Sequence, residues 1–506
     1  MKNSSATPEI STKKPALLIN RNFALLWSGQ IISIIGDFVF DTILILWIAT
    51  LIVQGQSWAP LAVSGILLSA SLPVFIIGPI AGVFVDRWNK RRTMLWMDAL
   101  RAVLILLLLL PAGFLPLPFL DAGRLPISWH LGFIYGTVFL TSTCTQFFGP
   151  ALFALIGDIV DEPYRARAAG LTQLIASLGT VIGPSLATLL FFKVGVQWAL
   201  LLNALSFVVS FLAILVIRPP QIAVSGELER QGNFLREFGQ GIRFYAGNRV
   251  LMTILISVTL VMAGAGALNA LGIFFVTHNL HTPVSFFGFL SSVLGAGSIV
   301  GAVLASAFTQ RLGLKRTFWI SLVAAGVLVF VYARLTNLVP ALVVLFLLGL
   351  VTTAVDVAAG PLVLNVTPRE LVGRVAALLN PALTLITMLS IAVAGYLYST
   401  VLQSFHATLA GITFGPIDTI FTVTGILVVA GGLYAMVNLH GVTIDTETEP
   451  SSEALKEEGQ EAKEEGQKAE EEGQGALKVR ALRLRMKELR EDESLIYTSK
   501  NGYRRP

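Results

Sequence analysis

Charged residues and cysteine are both scarce in this chain. Of its 506 residues only 13% are Asp, Glu, Lys or Arg and 54% are hydrophobic, whereas soluble proteins carry about 25% charged residues. The single cysteine, Cys144, lies in an apolar segment, so no intramolecular disulfide can form and we interpret it as a small core residue. This composition excludes an ordinary soluble domain and indicates a polytopic membrane protein.

Catalytic and cofactor-binding patterns are missing as well. The sequence has no G-x-x-x-x-G-K-[ST] loop, so ATP hydrolysis by this chain is not expected. Its five histidines lie at segment ends or in loops, which argues against a metal centre or a histidine proton relay. We therefore expect no enzyme activity, no metal and no cofactor. We attribute the net charge of +5 to cytoplasmic loops that face anionic lipid, not to nucleic-acid binding.

Twelve hydrophobic segments long enough to cross a bilayer alternate with loops. Their predicted spans are 23–52, 60–85, 93–114, 129–157, 165–193, 197–217, 249–277, 284–309, 317–334, 338–366, 371–402 and 415–439. Most loop arginines and lysines fall on one side, and the opposite loops carry little beyond Arg124, Lys193 and Arg334. Because short basic loops stay in the cytoplasm, both termini are predicted to be cytoplasmic in the plasma (inner) membrane.

The longest internal loop divides the segments into two sets of six. The predicted domains are an N-terminal tail (1–20), an N-terminal half (21–217), a linker (218–248), a C-terminal half (249–440) and a cytoplasmic tail (441–506). In the linker, apolar residues recur at helical spacing, which predicts an amphipathic helix on the inner leaflet or packed on the protein. The tail contains acidic EEGQ repeats and a basic stretch, and we expect it to be solvated and mostly disordered.

The two halves are similar to each other in sequence. DRWNKRR at 86–92 aligns with QRLGLKR at 310–316, and YRARAAGL at 164–171 aligns with LVGRVAAL at 371–378. Paired halves of this kind predict an all-α membrane fold of twelve transmembrane helices in two pseudo-symmetric six-helix halves.

The stretch GPIAGVFVDRWNKRR at 78–92 links two predicted helices. It resembles the G-x-x-x-D-[RK]-x-G-[RK]-[RK] signature between helices 2 and 3 of major facilitator superfamily transporters; the matching residues are Gly82, Asp86, Arg87, Lys90 and Arg91. Asn89 replaces the second glycine, and Asn is the non-glycine residue that best tolerates the left-handed backbone expected there. The alternative is that these basic residues only anchor the loop in the cytoplasm.

This resemblance implies a gate. Asp86 would latch onto the positive N-terminus of segment eleven in the outward-open state, and Gly82 would let helix two pack closely there. Thr367-Pro368-Arg369-Glu370 has the form of a capping box for that helix.

Segment five contains Gly170, Gly179, Gly183 and Pro184 at a spacing that resembles the helix-five signature of drug:proton antiporters, G-x8-G-x3-G-P-x2-G-G. Ala187 and Thr188 replace its last two glycines. The small residues would let helices approach closely and the proline would bend the helix. Ordinary small-residue packing is the alternative.

Ionisable residues inside membrane segments are costly and are therefore candidates for function. Asp37 is predicted near the midplane of segment one, with Asp41 one turn further on the same face. Two carboxylates in a partly dry cavity favour reversible protonation, unless Asp41 is simply hydrated at the interface. Asp356 in segment ten, five residues before Pro361, is a further candidate for a proton or substrate site.

Segment three carries Asp98 and Arg101, three residues apart. This spacing allows an ion pair within one helix, and a gate charge near Asp86 is the other interpretation.

The opening NRNFALLWSGQIISIIGDFVF, together with DRWNKRR, resembles the macrolide-efflux and enterobactin-exporter-like branch of drug:proton antiporters. The resemblance implies proton-coupled export of an amphipathic small molecule, from a midplane cavity lined by apolar and aromatic side chains with few charges beyond Asp37. The expected partners are that substrate, protons and membrane lipid, and the chain is expected to be a monomer. A lysophospholipid flippase and a non-transporting sensor or scaffold on the same fold are the alternatives.

Overall fold

The chain is almost entirely helical in its computed structural model, which describes residues 19–113, 126–218, 243–368, 371–405, 407–409 and 412–440. The predictions for the N-terminal tail before residue 19, for linker residues 219–242 and for the tail after residue 440 lie outside the described residues. Within the described ranges, the helical architecture confirms the predicted all-α class.

The described helices are α1 (Arg21–Trp47), α2 (Ala59–Ile76), α3 (Gly78–Arg87), α4 (Lys90–Leu107), α5 (Ile127–Ile159), α6 (Arg165–Lys193), α7 (Val196–Val216), α8 (Arg249–His278), α9 (Phe287–Leu312), α10 (Leu314–Tyr332), α11 (Leu338–Val366), α12 (Val372–Tyr396) and α13 (Pro416–Leu439). A π-turn extends α1 over Ile48–Ile52 and another extends α12 over Leu397–Val401. Strands β1 (Ala407–Leu409) and β2 (Ile412–Phe414) form an antiparallel hairpin before α13.

Eleven spans in the described ranges are long and apolar enough to cross a membrane by length and composition. Helix α4 is not among them, because its first turn is basic and it carries Asp98 and Arg101 further along. The predicted segment 60–85 forms two helices instead of one. Pro73 lies inside α2 and Pro79 in the first turn of α3, so the missing backbone N–H groups account for the break at Ile77.

The two halves share one packing pattern. In the N-terminal half α1 packs on α6 and α7, and α4 packs on α5 and α7; in the C-terminal half α8 packs on α12 and α13, and α10 packs on α11 and α13. The halves meet where α6 contacts α9 and where α2 contacts α12. Buried apolar side chains from both halves form one continuous core cluster there.

The aligned turns at 86–92 and 310–316 differ in backbone conformation at the position that Asn89 and Gly313 share. Gly313 has φ +80, a backbone conformation that favours glycine. Asn89 has φ −70, so the left-handed turn predicted for it is wrong. Its side chain instead accepts a hydrogen bond from the Arg92 N–H at 3.0 Å and caps the N-terminus of α4.

Candidate functional site

A cavity of about 210 Å³ lies between the two halves. Its walls come from α1, α8, α9, α10 and α11, through Asp41, Thr42, Ile45, Leu268, Asn269, Gly272, Val276, Phe287, Leu290, Ser291, Leu294, Tyr332, Leu345 and Leu348. Among these described lining residues Asp41 alone is charged. The lining is therefore mostly apolar with a few polar groups, a combination typical of small-molecule sites.

Asp37 and Asp41 lie in different surroundings although one helical turn separates them. Asp37 is halfway along the α1 span, sixteen residues after Arg21 and fifteen before Ile52. Its side chain is 38% exposed, and its Oδ2 lies 3.9 Å from Nη1 of Arg101. Asp41 is exposed into the cavity. The charge on the cavity wall is thus Asp41, whereas the sequence indicated Asp37.

Arg101 is the centre of a buried polar cluster in the N-terminal half. Its side chain is 2% exposed and forms an ion pair with Asp98, which is fully buried. Ser210 of α7 donates a hydrogen bond to Asp98 Oδ2 at 2.7 Å, and Gln30 of α1 donates to Ser210 Oγ at 3.0 Å. Of the two interpretations, the geometry shows the ion pair within α4; the described contacts of this cluster do not include Asp86.

Two phenylalanines complete the surroundings of Arg101. Its guanidinium carbon lies 4.3 Å from the ring centroid of Phe148 on α5 and 4.4 Å from that of Phe207 on α7. Such cation–π contacts strengthen when water is excluded. Sequence reasoning missed Phe148, Phe207, Ser210 and Gln30, because they lie on other helices and no spacing along the chain connects them to Arg101.

Two glycines of the α6 motif, Gly179 and Gly183, leave space that Phe38 of α1 fills. A Cβ at Gly179 would lie 2.5 Å from Phe38 Cδ2, and one at Gly183 would lie 2.4 Å from Phe38 Cβ. Helix α1 therefore approaches α6 more closely than any other residue would allow, at the position next to Asp37. Gly170 has no such neighbour within 4 Å, so close packing there is not observed.

Helices α6 and α9 are in backbone contact across the two halves. A Cβ at Gly288 would lie 1.9 Å from the Pro184 carbonyl oxygen, and one at Gly295 would lie 2.9 Å from that of Thr180. Ser185 Oγ also donates to Ser292 Oγ at 2.8 Å. These residues lie in the half of α6 remote from the α3–α4 turn.

A second contact between the halves lies on the same side. Gly395 near the end of α12 approaches Ser64 and the Pro60 carbonyl near the start of α2. Among the described residues, the closest approaches between the halves thus lie on the side opposite the α3–α4 turn. The described halves are therefore in close contact on the side opposite the turn.

The α3–α4 turn itself is held within its own half. Lys90 Nζ lies 3.0 Å from Asp158 of α5, and Arg91 Nε donates to the Ile214 carbonyl at 3.1 Å. Asp86 is exposed and has no hydrogen-bond or ion-pair partner within the described part of the chain. A Cβ at Gly82 would meet no described atom within 4 Å, and its close packing in the outward-open state stays a prediction.

The capping box predicted at 367–370 stays a prediction, because two of its four residues lie outside the described structure, while the position of Thr367 is clear. Its hydroxyl donates to the Val363 carbonyl at 2.7 Å, where it ends α11 instead of starting α12. Helix α12 begins at Val372 without a side-chain cap. Arg369 and Glu370 lie outside the described residues.

Asp356 lies on α11 toward the side of the α3–α4 turn, and its side chain is exposed. It follows the lining residue Leu345 by eleven residues, about three helical turns, so both lie on the same face of the helix. Asp356 therefore lies on the same face of α11 as the lining residue Leu345, nearer to the C-terminal end of that helix.

Comparison with known proteins agrees with this architecture. A family model described as transmembrane secretion effector matches residues 12–434. The chain is 24% identical over 392 residues to the uncharacterized MFS-type transporter YkuC of Bacillus subtilis, covering 75% of this chain and 86% of YkuC. It is 24% identical over 284 residues to macrolide efflux protein A of Streptococcus pyogenes, covering 55% of this chain and 66% of that protein.

Solved structures show the same fold. The nucleoside transporter NupG matches with a TM-score of 0.60 and 14% identity, covering 84% of this chain and 100% of NupG. A bacterial homologue of the iron transporter ferroportin in its inward-facing state matches with a TM-score of 0.63 and 15% identity, at the same coverage of both chains. The family model over residues 12–434 shows a secondary transporter of the major facilitator superfamily, not an enzyme. Within that superfamily, the chain belongs to the transmembrane secretion effector family.

Proposed function

We propose that this protein exports an amphipathic small molecule by alternating access, driven by proton entry. The observation that carries the proposal is the mostly apolar cavity between the halves, with Asp41 in its wall and Asp37 one turn away. An apolar cavity suits the greasy part of a substrate, and two carboxylates halfway along a membrane span can exchange protons without covalent chemistry.

The names of two relatives support the direction of transport. Besides the macrolide efflux protein, the chain is 24% identical over 323 residues to a putative bacilysin exporter of Bacillus amyloliquefaciens, covering 61% of this chain and 72% of that protein. Both names describe outward movement of a small molecule. These names support our proposal that the protein exports drug-like or macrolide-like compounds.

The charge pattern sets the orientation in this proposal. With the basic α3–α4 turn in the cytoplasm, the α6–α9 contact lies toward the outside, so we assign this structure to an inward-facing conformation. An exporter loads its substrate in this conformation. Asp37 and Asp41 would couple protons to transport, and Asp356 would act near the cytoplasmic entrance.

A substrate panel in inside-out membrane vesicles tests this function. The panel contains a radiolabelled macrolide, a cationic fluorescent dye, a neutral amphipathic dye and a lysophospholipid. With the vesicle lumen acidified, at least one of the first three probes should accumulate, and a protonophore should abolish the accumulation. If the lysophospholipid were the one probe transported, the result would contradict export of drug-like compounds and support a lysophospholipid flippase.

Asp86→Asn should reduce transport several-fold while the amount of folded protein in the membrane stays unchanged. Asp86 is exposed and has no hydrogen-bond or ion-pair partner among the described residues, so its replacement removes no stabilising contact found there. Its charge would be needed only when the halves close over the turn.

The measurement is the rate of probe accumulation divided by the amount of monodisperse protein. Asp161→Asn is the matched control, because Asp161 is also an exposed carboxylate on the same side, in the turn before α6. Equal rates for Asp86→Asn and Asp161→Asn would show that the α3–α4 turn only anchors the chain in the cytoplasm and does not act as a gate.

A further inference from the structure

The Arg101 cluster joins a sealed charge pair to an accessible carboxylate. Asp98 is fully buried and Arg101 is 2% exposed, whereas Asp37, on the other side of the guanidinium, is 38% exposed. Arg101 therefore has two anionic neighbours, of which only Asp37 has a side chain that is accessible to water.

The position of Arg101 is fixed from several helices. Phe148 and Phe207 lie against its guanidinium, and Asp98 is itself held by Ser210 and through it by Gln30. Buried Nε of Arg101 has no hydrogen-bond partner among the described residues. This cation is held in place with apolar rings around it, and it lies 3.9 Å from Asp37 Oδ2, close enough to favour the ionised form of that carboxyl.

Few other titratable groups face this cluster. Helix α7 has no charged residue, and α6 has charges only near its ends, in the described structure. Helix α5 contributes buried Cys144 in its centre, α1 contributes Asp41, and α2 has no titratable side chain. The electrostatic surroundings of Asp37 are thus set mainly by Asp98, Arg101 and Asp41.

We infer that Asp98 is a resident counter-ion which keeps Arg101 paired when Asp37 takes up a proton, so that Asp37 can exchange protons. If Asp37 were the sole partner of Arg101, its protonation would leave a buried cation unpaired, which is strongly unfavourable. Asp98 removes that obstacle because it stays ionised beside Arg101 throughout. Asp98 and Arg101 are thus positioning residues that act through Asp37, and this inference rests on the proposed proton coupling.

Infrared titration of the purified full-length protein tests the inference without any substrate. The band of the protonated Asp37 carboxyl is identified as the one that disappears in Asp37→Asn. Its pH profile is then measured in wild type, in Asp98→Asn and in Asp98→Asn/Arg101→Gln. The double variant contains no unpaired buried charge, so it remains informative if a single substitution of Arg101 would not fold.

The expected shifts have opposite signs. In Asp98→Asn, Asp37 becomes the one anion beside Arg101, so the profile should move to more acidic pH by at least about one unit. Removing the cation in the double variant should return it by a similar amount toward more alkaline pH. Three profiles that coincide, or a shift of Asp98→Asn to alkaline pH, would overturn the inference.

Transport assays separate this inference from the proposed function. If no probe accumulates in wild-type vesicles while the three pH profiles shift as expected, the result contradicts proton-coupled export but supports the counter-ion role of Asp98. If probes accumulate but the profiles coincide, export stands and the resident counter-ion is wrong.

Discussion

Asp37→Asn should reduce accumulation of the transported probe under an imposed pH gradient by at least about tenfold. This reduction corresponds to about 1.4 kcal/mol in the coupled step. Asn has the size and hydrogen-bonding capacity of Asp but cannot bind or release a proton. Arg101 keeps its ion pair with Asp98 in this variant, so the buried cation stays compensated and the protein should insert normally. Exchange of a neutral probe down its own gradient should persist.

The comparison that decides this prediction is accumulation against exchange in the same vesicles. Asp161→Asn, an exposed carboxylate in the turn before α6, should leave both unchanged, and Asp41→Asn should be milder than Asp37→Asn because its neighbour still titrates. Wild-type accumulation in Asp37→Asn would remove this residue from coupling, and Asp356 would become the next candidate.

A disulfide between α6 and α9 should block transport almost completely and reversibly. Ser185 Oγ and Ser292 Oγ are 2.8 Å apart across the two halves, so Ser185→Cys/Ser292→Cys should crosslink under mild oxidation. The bond would hold the halves closed on the side remote from the α3–α4 turn. Because alternating access requires this contact to open, oxidation should stop transport and reduction should restore it.

The background for this experiment is Cys144→Ala, which removes the single native cysteine. Each single cysteine variant in that background controls for oxidation without crosslinking. Full transport by the oxidised double variant, with the crosslink confirmed by mass spectrometry, would show that the α6–α9 contact need not open and would contradict rigid-body alternation of the halves.

Much of the fold was predictable because hydrophobic length and charge asymmetry are local properties of the chain. Segment length predicted the membrane helices, and the aligned turns at 86–92 and 310–316 predicted two similar halves. The break at Ile77 was missed because the hydrophobic segment 60–85 continues through it without interruption. Pro73 and Pro79 are the sequence features that indicate the break. Asn89 was misinterpreted because its own side chain caps α4, an alternative to the left-handed turn that glycine adopts at Gly313.

The site was less predictable, because it is made of contacts between helices. The spacing of Asp98 and Arg101 indicated their pairing, but the link to Asp37 depends on how α1 and α4 both pack against α7. The motif glycines Gly179 and Gly183 suggested close packing, yet only the structure shows that Phe38 fills the space. Asp41 and not Asp37 lies on the cavity wall because of how α1 is rotated about its own axis. A sequence pattern does not determine that rotation.

Simultaneous measurement of probe flux and proton flux in proteoliposomes tests proton-driven export most directly. The purified full-length chain is reconstituted, a pH gradient is imposed, and the panel probes are followed together with a lumenal pH indicator. We predict that at least one amphipathic probe moves uphill into the acidic lumen while protons leave it, and that both fluxes stop in Asp37→Asn. Probe movement that neither needs the gradient nor carries protons in the opposite direction would contradict the account.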